Sequence, residues 1–169
     1  LATKLELEKG FAIGDKIAVK FPGTTQEKYY EITQRDTIFY VSSHSAVAAG
    51  STSSYTSVSD LDPPTGQLYQ IYKIKLVKGN VKVYIKQPAA TNRWGTNKSP
   101  EAGYLTPYFD EAEVNLFIMQ DYPPSVQIKN DTDVSITPVL RWFGWRYAIK
   151  ELPTKPEIYT KIQIGGIGE

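Results

Sequence analysis

The chain has 169 residues, with 19 lysines and arginines against 18 aspartates and glutamates, one histidine and no cysteine. That length suits one domain burying about 70% of the surface its unfolded chain exposes, and a net charge of +1 supplies no basic field for nucleic acid or an anionic membrane. The absence of cysteine removes disulfides, thiol nucleophiles and zinc–thiolate sites, and no apolar run reaches the ~18 residues of a membrane-spanning helix. Leu1 in place of an initiating methionine reads as the start of a trimmed or processed chain.

Twelve tyrosines with many isoleucines, valines and threonines favour strands, and 11 prolines and 12 glycines cut the chain into short pieces. Residues 1–9 alternate, Leu5 and Leu7 opposite Glu6 and Glu8, and are expected to form an N-terminal arm or strand. After a Gly-Asp turn, Ile17, Val19 and Phe21 continue the period of two. EKYYEITQ fits a strand or a helical turn, and TIFYVSS is a strand. Residues 44–66, rich in Ser, Thr, Ala and Gly, bury little apolar surface on this reading and form a long loop.

LYQIYKIKLV and VKVYIKQ, joined by Lys78-Gly79-Asn80, read as a hairpin with Leu68, Tyr72, Ile74 and Leu76 on one face. Residues 88–110 form a second long loop. EVNLFIMQ, SVQIKN and VSITPVL are three further strands, RWFGWRYAI is another, and YTKIQI is the last before a flexible tail over 165–169. The expectation is a single all-β domain over residues 1–169: an antiparallel β-sandwich of about eight to ten strands, jelly-roll or Greek-key in type.

RWFGWRY holds the densest aromatic run. On a strand, Arg141, Phe143, Trp145, Tyr147 and Ile149 share one face, expected to fill the inter-sheet space. Trp142 and Arg146 then point the other way, with Gly144 between them leaving room for another backbone or ring. Trp, Tyr and Arg dominate interface hot spots, so Trp142 and Arg146, with Leu5 and Leu7 of the arm, are the expected contact residues. Stacking on single-stranded nucleic acid would need a basic groove that the balanced charge does not provide.

Chemistry is sparse. His44 is expected on a loop surface, with Ser42, Ser43 and Ser45 too near in sequence for a catalytic triad. No nucleophile elbow, paired-histidine metal motif or phosphate loop occurs, and no catalytic residue, metal or cofactor is expected. Asp131 and Asp133 in NDTD are turn or edge caps before they are calcium ligands, and Asn130-Asp131-Thr132 fits a glycosylation sequon.

These features favour a non-enzymatic structural protein, a virion coat, decoration or tail component, associating with copies of itself and other structural subunits through sheet edges and aromatic/Arg surfaces. An extracellular filament subunit is an alternative, with a virion or cell-surface location either way. A carbohydrate-binding module is another, in which Trp94, Tyr104 and Tyr108 would stack on a glycan.

Overall fold

The computed structural model describes residues 8–21, 25–86 and 110–164. Nine strands lie among them: β1 Lys16–Lys20, β2 Glu27–Ser43, β3 Thr56–Ser57, β4 Gln67–Lys78, β5 Lys82–Lys86, β6 Glu111–Ile118, β7 Ser125–Lys129, β8 Val139–Leu152 and β9 Thr160–Gln163. They build two sheets, one of six strands in the order β6-β4-β8-β2-β1-β9 and one of three in the order β3-β7-β5. The all-β sandwich expected from composition is the fold. One pairing departs from the antiparallel rule, because β9 runs parallel to β1, with Ile17 opposite Thr160.

EKYYEITQ and TIFYVSS are one 17-residue strand, β2. An extra residue, Thr33, sits between the pairs Ile32–Ile149 and Gln34–Ala148. A single inserted residue exchanges the faces of everything beyond it. Tyr30 and Ile32 therefore join one cluster, while Ile38 and Tyr40 pack against another.

The expected hairpin of β4 and β5 does not form. β4 is flanked by β6 and β8, so both its edges are taken. Gly79, at φ +124°, carries the chain across to the smaller sheet, where β5 pairs with β7. The shared face proposed for Leu68, Ile74 and Leu76 is also corrected. Tyr72 is an inserted residue between the pairs at Ile71 and Lys73, and so Leu68 lies in one core while Ile74 and Leu76 lie in the other.

The two cores sit on opposite faces of the six-stranded sheet. Between the sheets, Ile71, Ile74, Leu116, Leu140 and Trp142 meet Val83, Ile85, Val126 and Ile128 of the smaller sheet. On the outer face, Ile17, Val19, Ile32, Leu68, Tyr147 and Ile162 form a second cluster, with Phe11, Phe21 and Tyr122 packed against it. Residues 44–66 are less loop-like than expected. Val47, Val58 and Leu61 are buried in the inter-sheet core, Val47 and Thr52 form isolated bridges with Ile136 and Lys129, and Ser59–Leu61 is a 3₁₀ turn. VSITPVL contributes that Ile136 bridge and then runs into β8, and is not a strand of its own.

Candidate functional site

β8 lies between β2 and β4, and its alternation sorts RWFGWRY differently from the sequence reading. Trp142 is fully buried between the sheets, so its expected outward placement is reversed. β8 itself has no inserted residue in either pairing, so its alternation holds; both of its faces are apolar, and alternation does not say which one meets the smaller sheet. Arg146 is exposed, 3.4 Å from Asp36. Gly144 does leave room for a backbone, since a Cβ there would overlap the carbonyl oxygen of Gln70.

The face expected to fill the inter-sheet space is instead the outer face of the six-stranded sheet, with Tyr147, Trp145 and Ile149 in or against the second cluster, and it is divided along its length. Tyr147 is buried, its hydroxyl donating to Gln70 Oε1 at 2.7 Å and accepting from the Phe11 amide at 2.7 Å. Trp145 is part-buried beneath the N-terminal segment. Its indole donates to the Glu8 carbonyl at 2.8 Å, and the Arg35 guanidinium lies 3.9 Å over its ring.

Further toward the start of β8 that cover ends. Directly opposed residues of paired strands share a face, and here two rows cross four strands. One is Val41, Arg141, Lys75 and Glu111, and the other is Phe39, Phe143, Lys73 and Glu113. Phe39 is 61% exposed and Val41 45%, high values for large apolar side chains, and they lie on the stretch of β2 that, among the described residues, pairs with β8 alone because β1 reaches only Glu27–Glu31. Phe39 and Phe143 meet edge-to-face at 5.3 Å. The Arg141 guanidinium lies 5.0 Å from the Phe39 ring centroid and the Lys73 ammonium 4.4 Å from that of Phe143. Lys73 and Lys75 both reach Glu111, at 4.0 and 3.8 Å. Sequence reasoning missed Phe39, Val41, Lys73 and Lys75. The alternation in TIFYVSS carries the signal, but alternation alone does not say which face is covered.

A second feature lies at the end of the sandwich, where the close of β2 faces β3 and β7 across a cavity of about 240 Å³. Tyr40 and Ser42 project into it two residues apart. Tyr40 donates to Asp60 Oδ2 at 2.6 Å. Burial, then the hydrogen bond and charge of Asp60, push its phenol up to about 12. The Trp142 indole donates to Ser42 Oγ at 2.9 Å, and the same oxygen lies 2.9 Å from His44 Nε2. The contact follows from the strand, which places residues two apart on one side. Burial holds His44 below the usual imidazole range. Its neutral ring can accept the Ser42 proton through Nε2 in the Nδ1-protonated tautomer. Among the described residues no carboxylate is hydrogen-bonded to His44 to orient it, so the pair lacks the third member of an acyl-transfer triad.

The NDTD turn is not a glycosylation site in this fold. Asn130 is fully buried, and its amide nitrogen donates to the Val47 and Val134 carbonyls at 2.9 and 2.8 Å. Its oxygen accepts from the Thr132 hydroxyl at 2.6 Å, and Asp131 lies 3.5 Å from Lys82. These contacts make the segment a hydrogen-bonded turn. Leu5, Leu7, Trp94, Tyr104 and Tyr108 lie outside the described residues, as do the 165–169 tail and all of the 88–110 loop except Asp110. The chain matches no protein-family model and no curated protein.

Proposed function

We propose that this chain is a non-enzymatic structural subunit that assembles with copies of itself, as in a virion coat, decoration or tail component. The observation that carries the reading is the apolar patch on the outer sheet face, where the largely exposed Phe39 meets the half-buried Phe143 edge-to-face and Arg141 and Lys73 lie against the two rings. A monomer gains nothing by exposing Phe39 on a one-sided stretch of strand, whereas an interface gains most from aromatic and arginine anchors.

The rows also carry both signs of charge side by side, with Lys73 and Lys75 on β4 next to Glu111 and Glu113 on β6. A second copy related by a two-fold axis can set its lysines over these carboxylates. Symmetry then sets its own carboxylates over these lysines, as a self-complementary contact requires. An extracellular filament subunit uses the same surface and is the second reading; micrographs of native material distinguish a shell from a fibre.

The test is sedimentation velocity over a concentration series, comparing the native chain with the double variant Phe39→Asp, Phe143→Ser. The native chain is expected to associate as concentration rises and the variant to stay monomeric with an unchanged unfolding midpoint. A native chain that remains monomeric throughout, or a variant that associates equally well, overturns the proposal.

A further inference from the structure

We infer that the cavity between the end of β2 and the smaller sheet binds one neutral polyhydroxylated ring, a single hexose unit. The inference is independent of the assembly surface, which lies on the other face of the six-stranded sheet. The cavity, about 240 Å³, falls just below the range of drug-sized pockets, which suits one sugar ring and no more.

The chemistry of its wall selects the class. Ser42, Ser57, Ser59 and Tyr40 present hydroxyls, His44 an imidazole and Asp60 one carboxylate. A serine hydroxyl such as that of Ser57 or Ser59 can both donate and accept, and the Tyr40 oxygen, its proton given to Asp60, still accepts, which matches the alternating demands of sugar hydroxyls. Among the described residues none of the lining side chains is a lysine or arginine, so they offer a phosphate or carboxylate ligand no countercharge. Asp60 is already held by Tyr40, leaving its remaining lone pairs to accept from a ligand hydroxyl in a charge-assisted bond.

The inner end is pre-ordered. Ser42 is fixed between the Trp142 indole and His44, so little side-chain freedom is lost there on binding. Val126 and Ile128 supply an apolar floor for the C–H face of the ring. The rim residues Ser57 and Ser59 are exposed, so substitutions there leave the core intact.

The experiment is NMR titration of the whole chain with free D-glucose, D-galactose and D-mannose and with their methyl glycosides. The readouts are the His44 ring signals and the Trp142 indole N–H. At least one hexose is expected to give saturable shifts at both. Asp60→Asn should weaken that binding roughly tenfold, equivalent to about 1.4 kcal/mol, and Ser57→Phe should abolish it while the unfolding midpoint stays at the native value. Binding of the methyl glycoside as well assigns the terminal sugar of a glycan, and binding of the free hexose alone assigns the free sugar. Absence of saturable shifts with every sugar, shifts that persist in both variants, or tighter binding of inorganic phosphate than of any hexose each overturn the inference.

Discussion

The carbonyl group of Gln70 occupies the space in which any residue other than glycine at position 144 would place its Cβ. Gly144 pairs with Ile71 on one side and Ile38 on the other, at the last regular step before the Tyr72 insertion. The Ile71 Cα is 3.0 Å from the same hypothetical Cβ, so the obstruction is backbone on a central strand and cannot rotate away. Gly144→Ala is therefore expected to destabilise the domain by about 1–3 kcal/mol through overpacking. Urea unfolding measures it, and a midpoint equal to the native one would mean that β4 shifts freely, against its pairing on both edges.

Burial assigns the two tryptophans of RWFGWRY unequal tasks. Trp142 is fully buried between the sheets, and Trp142→Ala is expected to cost ~3–5 kcal/mol, the range for removing a large core aromatic. Trp142→Phe should cost less and, by withdrawing the indole N–H from Ser42, move the His44 resonances. Trp145→Ala is expected to act mainly on the segment ending at Phe11. Equal losses of global stability in the two alanine variants would contradict this division.

The same residues show how far the sequence could be read. Alternation within each segment was sufficient for strand type, for the two-sheet sandwich and for the reason Gly144 is glycine. It was insufficient for which face was which, because both faces of β8 are apolar, and in β2 and β4 an inserted residue such as Thr33 or Tyr72 has no distinctive side chain and acts by shifting register. The β4–β5 hairpin failed for a related reason: Lys78-Gly79-Asn80 is good turn chemistry, but whether strands leaving a turn pair or part depends on which edges other strands already occupy. The cavity was hidden because its wall joins β2 to residues far along the chain, and Trp142 reaches Ser42 across 100 positions.

Arg35 ties the N-terminal segment to the outer core. Its guanidinium donates to the Phe11 carbonyl at 2.7 Å and the Lys9 carbonyl at 2.8 Å while stacking on Trp145. Hydrogen bonds from charged donors contribute about 1.5–3 kcal/mol in favourable cases, and partial exposure here lowers that. Arg35→Ala is expected to raise amide exchange at Phe11 and to expose the chain before it to limited proteolysis, with a smaller change in the global unfolding midpoint. Tyr147→Phe, which removes the acceptor of the Phe11 amide, should do the same. Unchanged protection at Phe11 in both variants would show that the segment is held by Phe11 packing alone.

His44 gives the fold a defined acid sensitivity. Its folded pKa lies below the ordinary value of 6.5 because burial penalises the imidazolium. In the unfolded chain the ring takes its proton near pH 6.5; in the folded chain it does so only at lower pH. Between those values the unfolded state binds more protons, so stability rises with pH there. Stability is therefore whole above the unfolded pKa and declines as pH falls from about 6.5 through the folded value. His44 is the only histidine in the chain. His44→Gln keeps a hydrogen-bonding side chain beside Ser42 and is expected to flatten the urea midpoint between about pH 7 and about pH 5.5. A native midpoint already flat over that interval, or a slope that survives in the variant, would place the imidazole in water rather than against the Ser42 hydroxyl.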